Sequence, residues 1–339
     1  MASGLPEDVE SFLSATAEFV SAHGLLARGE PVLAAVSGGA DSLARAEALR
    51  RLAPGPVAVA HVHHGLRDQA DADAEFVARW AGQAGLACHL QRIDTRALAR
   101  QWHAGIEEAA RRGRYRALAE VARSIGAPAV AVAHHADDQV ETVLHRIVRG
   151  THLRGLGGMG PARPLGPGVR LVRPLLWARR SRIERFCRDC GLQWRTDLTN
   201  RQTDFTRNFI RHDLLPLLRK RINVRADEAV LRLASAAREA EAALTDLAED
   251  LFRRACRKRS AGEVVLRIAP LTKAPPLLAS LALRRALAHL DAPERQLTQE
   301  RYDDLLALLG GAAQAADLPG GVRAERRGRD LALTRPTDG

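Results

Sequence analysis

The residues best suited to chemistry form one short run, Ser37-Gly38-Gly39-Ala40-Asp41-Ser42, between an apolar stretch and a helical pattern. Adjacent glycines let the backbone come close to an anion, and the free N–H groups at a helix start point toward it. The run has no lysine, so it is not the Gly-x-x-x-x-Gly-Lys-Ser/Thr nucleotide loop. Asp41 stands where a phosphate would bind, which is favourable if Mg²⁺ lies between the two. The pattern predicts a phosphate site, and the alternative is an ordinary glycine-rich turn.

A second group of polar residues begins another helical pattern, in His134-His135-Ala136-Asp137-Asp138-Gln139-Val140-Glu141. On a helix, Asp138 and Glu141 lie one turn apart, with Asp137 beside them. Because neighbouring carboxylates repel each other, the group predicts a bound cation, either Mg²⁺ or the ammonium group of a substrate. The alternative is a simple helix start, which favours acidic residues through the helix dipole.

Two pairs of arginines have the spacing of one helix face. Arg111 and Arg114 are three residues apart, and Arg207 and Arg211 are four apart. A planar guanidinium group suits a triphosphate, the charge that develops during phosphate transfer, or a polyanion. The alternative for each pair is a solvated basic helix face.

Histidines and cysteines also occur at spacings that could bind a metal. His61, His63 and His64 end an apolar stretch, but no cysteine or carboxylate cluster completes a zinc set there. A contact between this segment and adenine or ribose is favoured instead. Cys187 and Cys190 form a Cys-x-x-Cys, which needs further ligands to hold zinc or an iron–sulfur cluster. Since the other two cysteines are isolated, two small buried residues are the favoured interpretation.

Charge is unevenly distributed along the 339 residues, whose formal net charge is +11. The segment from Arg146 to Arg225 holds 19 basic and 5 acidic residues. A basic segment beside a nucleotide site predicts a polyanionic second substrate, and nucleic acid is the favoured one. Biased base composition is the alternative, because the chain has 48 arginines and three lysines. That bias explains why arginine stands in place of lysine, but it does not explain why the basic residues are concentrated in one segment.

The elements that position these residues alternate between strand and helix. Strand-like apolar runs span Val32–Val36, Val57–His61, Ala87–Arg92 and Ala129–Ala133. Helical patterns span Leu43–Leu52, Ala72–Ala84, Ile106–Ile125 and Val140–Arg149. This alternation predicts an α/β fold, a Rossmann-like parallel sheet with helices on both faces. Ligands bind at the carboxyl ends of such strands, where the glycine run, the histidines and the acidic group all fall.

The rest of the chain has a different pattern. From Pro216 it is mostly helical, with short strands expected near Val322–Arg326 and Leu331–Leu333. We therefore predict two domains, 1–215 and 216–339, of which the second is smaller and mainly helical.

Three further features bear on organisation and location. Thr151 to Gly168 is rich in glycine and proline and predicts a loop. No apolar run approaches the roughly 20 residues that cross a bilayer, and the segment from Met1 to Glu10 lacks the basic start of a secretory signal. Four scattered cysteines do not form a disulfide framework. We expect a cytoplasmic protein with no membrane partner.

Taken together and in order, these motifs resemble the bacterial tRNA(Ile)-lysidine synthases, PP-loop enzymes of the N-type ATP pyrophosphatase superfamily. The resemblance rests on Ser37–Ser42, His63–Arg67, Glu107–Tyr115, His134–Thr142, Arg149-Gly150, Arg173–Leu176, Asp197–Asn200 and Arg207–Arg211. Two departures stand out. Thr196-Asp197-Leu198-Thr199-Asn200 lacks one acid of the family's Glu-Asp-x-Ser-Asn, and the chain is short after its helical region.

The resemblance implies a two-step reaction that uses ATP and Mg²⁺. ATP adenylates the C2 carbonyl oxygen of the wobble cytidine in a tRNA(Ile) with a CAU anticodon, and pyrophosphate is released. An amine of L-lysine then attacks C2 and displaces AMP. The region 216–339 would bind tRNA, and a homodimer is left open.

The resemblance also implies roles for individual residues. The expected catalytic residues are Asp41, Arg111, His134 (as a proton acceptor) and Asp138. The expected ATP-binding residues are Ser37, Gly38, Gly39, Ala40, Asp41, Ser42, His63 and Arg114. The expected residues for the second substrates are Asp137, Glu141, Arg207 and Arg211. Mg²⁺ would be held by Asp41 and Asp138.

Two other functions stay open. A PP-loop tRNA thiolase of the 2-thiocytidine type would share the phosphate loop, but it needs reactive or cluster-binding cysteines. An adenine-nucleotide-binding RNA regulator would need no crowded carboxylates beside that loop.

Overall fold

The computed structural model describes residues 7–66, 70–195, 205–293 and 299–335. The chain folds into two compact units, Met1–Ser235 and Ala236–Gly339. The predicted boundary after residue 215 lies earlier than this division. The helices that follow it still belong to the first unit, because Leu215 is buried with Val140 and Ile210, and Val230 packs against them. The functional division into 1–215 and 216–339 stays a prediction.

A six-stranded sheet forms the centre of the first unit. Its strands are β1 (Val32–Ala35), β2 (Val57–His63), β3 (Ala87–Arg92), β4 (Ala129–Ala131), β5 (Ala162–Gly166) and β6 (Val169–Val172). Their order is β3-β2-β1-β4-β6-β5, and all neighbours are parallel except β5 and β6. Successive strands are added on one side of β1 and then on the other, so the order reverses between β1 and β4. Such a switch point is where α/β sheets bind ligands.

Helices cover both faces of this sheet, which confirms the predicted fold class. They are α1 (Glu7–Ala22), α2 (Ala40–Leu52), α3 (Ala70–Gln83), α4 (Thr95–Gln101), α5 (Ile106–Ser124), α6 (Ala136–Val148), α7 (Leu153–Leu156) and α8 (Arg180–Asp189). Alternate residues of β1 face opposite ways. Ala34 packs with Leu43 of α2, whereas Leu33 packs with Leu118 of α5. Both faces of β1 are therefore dry, as its unbroken apolar run predicts.

The segment 151–168 is not the loop that its glycines and prolines predict. It contains α7 and β5, and β5 pairs with β6. Gln139 of α6 satisfies the backbone between them: its Nε2 donates to Gly157 O (3.2 Å) and Met159 O (3.1 Å), and its Oε1 accepts from Met159 N (2.6 Å). This distant side chain supplies the partners that a glycine-rich segment lacks locally.

Near its end the first unit contains a helix with a wide turn. Helix α9 (Phe205–Phe209) continues as a π-helical segment (Ile210–Leu214) and then as α10 (Leu215–Arg221). Leu215 N donates to Ile210 O, the hydrogen bond of a π turn. This turn brings residues five apart to the same side, so Ile210 and Leu215 are both buried. Helix α11 (Ala226–Ala255) follows and extends into the second unit.

The second unit combines helices with an antiparallel sheet. Its strands are β7 (Cys256–Ser260), β8 (Glu263–Arg267), β9 (Ala315–Leu318), β10 (Val322–Arg327) and β11 (Asp330–Thr334), and its other helices are α12 (Ile268–Thr272), α13 (Pro276–His289) and α14 (Gln299–Gly310). The strand order is β7-β8-β11-β10-β9. One core holds Leu287 of α13, Leu308 of α14 and Leu333 of β11. The two strands predicted here are present, and three more were not predicted.

None of the described helices is both long enough and apolar enough to cross a membrane.

Candidate active site

The predicted phosphate loop lies at the carboxyl end of β1. Gly39 begins α2, and the Ser42 hydroxyl folds the loop closed: it donates to Gly39 O (2.8 Å) and accepts from Ser37 N (3.1 Å). Gly38 has a φ of +92°, and a side chain there would meet Phe76 at 3.4 Å. Such a tight turn, followed by a helix start, leaves backbone N–H groups available for an anion.

A histidine connects the two acidic residues that face each other across the switch point. His135 Nε2 lies 3.8 Å from Asp41 Oδ2 and 3.5 Å from Asp138 Oδ2. Asp138 also caps α6, since its Oδ2 accepts from His135 N (3.0 Å). Burial raises the pKa of Asp41, although His135 acts against the shift. The structure thus brings together the loop after β1 and the acidic group after β4, as predicted.

The other two predicted acids already have cationic partners. Glu141 is buried and accepts from Arg211 Nε (2.6 Å) and Nη2 (3.0 Å), a two-pronged ion pair. Burial raises the pKa of Glu141 even though Arg211 lowers it. Asp137 Oδ2 accepts from Arg180 N (2.8 Å), and its Oδ1 lies 2.9 Å from Arg179 Nη2. Asp138 also has a cationic neighbour, because its Oδ1 lies 3.6 Å from Arg211 Nη2. This contact is longer than those of Glu141 and Asp137, so Asp138 is the acid after β4 best placed to face a ligand with Asp41.

His134 has a geometry that opposes the predicted role of proton acceptor. Its Nδ1 accepts from Arg173 Nε at 3.1 Å, so the ring proton lies on Nε2. The pKa of His134 is lowered to about 4, mainly by desolvation; Asp138 acts against this shift, and Arg173 and Arg114 add to it. The ring is therefore neutral near pH 7. Its one available nitrogen lone pair, on Nδ1, already accepts the hydrogen bond from Arg173. Nε2–H can donate a hydrogen bond.

The predicted arginines lie at different distances from this centre. Arg114 is half-buried, stacks on Tyr115 at 5.2 Å, and is close enough to His134 to lower its pKa. Arg111 is exposed on α5, and no described contact places it at the loop. Arg207 is exposed on α9 and close enough to Arg146 to lower its pKa, while burial is the larger cause of that shift.

The carboxyl end of β2 carries the predicted nucleoside contacts. His61 Nδ1 donates to Val36 O at 2.8 Å, so this buried ring braces the start of the loop. His63 Nδ1 accepts from Gly65 N at 3.1 Å. His63 borders a cavity of about 500 Å³ beside the end of β3. The other lining residues are Gly65, Leu66, Arg92, Ile93, Asp94 and Arg96. The cavity lies at the end of β2, which pairs with β1, so a ribose or base bound there would be one strand away from the phosphate loop.

The thiol pair has the environment of core residues. Cys187 is buried, its thiol donates to Ala40 O at 3.4 Å, and burial raises its pKa to about 12. Burial also raises the pKa of Cys190. Raised thiol pKa values oppose the nucleophilic or ligating thiolate that a thiolase needs.

Mg²⁺ fits the chemistry of Asp41 and Asp138. Asp41 Oδ1 is buried and has no hydrogen-bond partner among the described residues. No group of three or more metal-binding side chains occurs within the described parts of the chain. Mg²⁺ commonly uses one or two carboxylates and completes its shell with substrate phosphates and water. Two facing carboxylates beside a phosphate loop match that requirement.

Four arginines of the site had no assigned role in the sequence predictions. Arg45, Arg173, Arg179 and Arg195 act through contacts between distant segments: for example, Arg195 N donates to Gly38 O at 3.0 Å. The excess of arginine is the sequence signal for Arg45, Arg179 and Arg195, whereas Arg173 also belongs to the Arg173–Leu176 motif of the resemblance. Arg67 and the segment from Thr196 to Asn200, which carry part of the family resemblance, lie outside the described residues.

Known proteins are similar to this chain over much of its length. A family model described as a PP-loop domain matches residues 11–218. A tRNA(Ile)-lysidine synthase of Geobacillus kaustophilus is 36% identical over 315 residues, which cover 91% of this chain and 67% of that protein. A tRNA(Ile)-lysidine synthase of Geobacter sulfurreducens is 35% identical, and the alignment covers 96% of this chain and 70% of that protein. One of Symbiobacterium thermophilum is 37% identical, with 90% of this chain aligned and 65% of that protein covered. The chain thus spans about two thirds of the length of these relatives.

A solved structure has the same fold. The U34-tRNA thiolase NcsA of Methanococcus maripaludis superposes with a TM-score of 0.55 over 67% of this chain and 80% of that chain, at 16% identity. At this identity the likeness extends to the fold alone.

Proposed function

Since the chain belongs to the PP-loop family and to the tRNA(Ile)-lysidine synthases, we propose that it attaches L-lysine to a tRNA cytidine at the expense of ATP. ATP transfers AMP to the C2 carbonyl oxygen of the wobble cytidine in the CAU anticodon of tRNA(Ile), and pyrophosphate leaves. An amine of lysine then attacks C2, AMP leaves with the oxygen, and the amine loses a proton. The observation that carries this proposal is the meeting of the phosphate loop with Asp41 and Asp138 at the switch point.

The loop performs the first step by holding the departing phosphates. Backbone N–H groups between Ser37 and Ser42 bind the pyrophosphate portion, and the positive end of α2 stabilises its charge. Asp41 and Asp138 would hold Mg²⁺, which when bound neutralises charge on the phosphate oxygens. The His63 cavity takes the nucleoside part of ATP. Arg114 adds positive charge from α5.

The acidic side of the site supports the second step. A lysine amine reacts only after it loses a proton, so a group nearby must accept one. His134 is poorly suited because its Nδ1 already accepts from Arg173. We propose instead that a carboxylate of the cluster takes the proton and that His134 Nε2–H donates a hydrogen bond. Glu141 and Arg211, as a balanced ion pair, offer an acceptor and a donor for the charged ends of lysine.

The basic segment supports tRNA as the second substrate. All of it lies in the first unit, the unit that holds the loop. Unpaired anticodon bases can turn into a pocket, which sequence-specific RNA recognition commonly requires. The tRNA-binding role of residues 216–339, location in the cytoplasm and a homodimer stay predictions, and sedimentation would test the last.

One assay tests the proposal directly. The protein is incubated with ATP, Mg²⁺, lysine and a tRNA(Ile) transcript with a CAU anticodon, and nucleosides are analysed by mass. We expect lysyl-cytidine, and we expect none from the same transcript with uridine at the wobble position. Formation of no lysyl-cytidine from the CAU transcript would contradict the proposal.

Two further measurements sharpen the result. Asp41→Ala should abolish AMP release while tRNA is still retained on a filter, and loss of both would indicate misfolding. Alkylation of the thiols should leave most of the activity, whereas a thiolase would be inactivated.

A further inference from the structure

A fully buried cation lies directly beneath the phosphate loop. Arg45 of α2 has 0% exposure. Its Nη1 donates to Ala131 O at 2.8 Å, and its Nη2 donates to Ala35 O at 2.5 Å. Nη2 also lies 3.4 Å from Ser42 O, in the loop itself. The guanidinium group therefore joins the last residues of β1 and β4 at the switch point.

Nothing among the described residues neutralises this charge. No carboxylate lies within ion-pair distance of Arg45, its Nε has no hydrogen-bond partner there, and desolvation alone lowers its pKa, to about 9. Other arginines of the same helix differ. Arg50 and Arg51 both pair with Glu47 at 2.7 Å.

A buried charge without a partner is costly, so an apolar residue would serve a purely structural core position better. Carbonyl dipoles compensate the Arg45 charge only in part. A full negative charge arrives only if an anion binds to the loop directly above. An anion bound at a low-dielectric site gains more from such a cation than it would at the surface.

We propose that Arg45 is a positioning residue which holds the ends of β1 and β4 together and supplies the buried positive charge beneath the bound phosphates. This inference rests on the proposed use of ATP by the loop. It adds a residue of α2, buried against the ends of β1 and β4, to the anion site.

The test measures binding of inorganic pyrophosphate by calorimetry, with thermal unfolding measured in parallel. Arg45→Lys keeps the charge, Arg45→Gln keeps donors without charge, and Arg45→Met keeps only bulk. Arg50→Gln is the matched control, because it removes one charge from the same helix and leaves Glu47 paired with Arg51. The variants Arg45→Lys and Arg45→Gln both keep a long polar side chain, so they can be compared with each other even if Arg45→Met does not fold.

We expect pyrophosphate to bind Arg45→Lys within about threefold of wild type and to bind Arg45→Gln and Arg45→Met about tenfold more weakly. The ratio of wild type to Arg45→Gln should persist at 300 mM salt, because a buried charge is screened little. Arg50→Gln should bind as wild type does, and the KM for ATP should follow the same order.

Two results would overturn the inference. Equal pyrophosphate affinity in all Arg45 variants would show that the residue only fills the core, whatever the unfolding temperatures. Full affinity in Arg45→Gln with a loss in Arg45→Lys would assign the effect to hydrogen bonding and not to charge. If wild type itself binds no pyrophosphate, the proposed function fails first, and the inference fails with it.

Discussion

At the residue scale, the identity of the group that takes the proton follows from the hydrogen bonds of His134. Because Nδ1 accepts from Arg173, a glutamine at this position can accept through Oε1 and donate through Nε2 in the same way. We therefore expect His134→Gln to keep lysidine formation within about tenfold of wild type and His134→Leu to lose more. General bases contribute about 10²–10⁴-fold, so a loss of that size in His134→Gln would restore the histidine as the base.

The lowered pKa of His134 also makes stability depend on pH. The unfolded histidine binds a proton near pH 6.5, whereas the folded one does so only near pH 4. As the pH falls below 6.5 the unfolded state gains protons first, so the wild-type free energy of unfolding falls. His134→Gln has no titrating group at this position, so its free energy of unfolding lacks this dependence on pH. Denaturant unfolding should show the wild type losing about 2 kcal/mol relative to His134→Gln between pH 7 and pH 5. A constant difference between the two proteins would contradict this.

At the element scale, an ion-pair network fixes the start of α8 to the end of α10 and the start of α11. The Asp227 carboxylate pairs with Arg179 and with Arg219 Nη2 (2.8 Å), and Arg179 also reaches Asp137. Burial raises the pKa of Asp227, but the hydrogen bonds of the two arginines lower it overall. Asp227→Asn removes the shared charge and leaves both arginines partly buried without it. We expect a loss of about 2 kcal/mol in the free energy of unfolding, measured with urea.

An exposed pair in the same unit provides the control for this experiment. Asp8 pairs with Arg185, and both side chains are more than half exposed. Asp8→Asn should change the free energy of unfolding by less than about 0.5 kcal/mol. Equal losses in Asp227→Asn and Asp8→Asn would mean that the network adds no more than a surface contact.

What the sequence predicts, and what it misses, differs by type of element. The strands β1, β2 and β4 and the helices α2, α3, α5 and α6 follow from local patterns, because these strands are mostly buried. Strand β3 was also predicted, although it lies at the sheet edge and is partly exposed. Strand β7 was missed because Cys256–Ser260 is basic and mostly exposed. The π turn was missed because helical periodicity pairs Ile210 with Leu214, whereas the chain buries Ile210 and Leu215.

The same distinction applies to the site. The loop Ser37–Ser42 and the acids after β4 are each a run of neighbours in sequence, so their meeting at one sheet edge could be predicted. Their partners come from far along the chain, as Arg173 does for His134 and Arg211 for Glu141. Only the folded sheet edge decides how closely each acid is paired. Glu141 and Asp137 have cationic partners at 2.6 and 2.9 Å, whereas Asp138 lies 3.6 Å from Arg211.

At the scale of the whole molecule, charge is concentrated in the first unit. The second unit, from residue 236 onward, holds 17 basic and 15 acidic residues, so it is close to neutral. The segment from Arg146 to Arg225, in the first unit, holds 19 basic and 5 acidic residues. Since phosphate contacts dominate nucleic-acid affinity, most of the salt-sensitive binding of tRNA should depend on this segment.

A comparison of paired substitutions tests this distribution. Arg149 and Arg221 are exposed within the basic segment, whereas Arg28 and Arg79 are exposed outside it, in the same unit. Changing either pair to glutamine removes two charges from the chain. For each arginine that contacts a phosphate, the slope of log affinity for tRNA against log salt concentration should fall by about one. We expect this fall in Arg149→Gln/Arg221→Gln and not in Arg28→Gln/Arg79→Gln, by filter binding from 50 to 300 mM salt. Equal slopes in the two variants would mean that net charge, and not its position, attracts the tRNA.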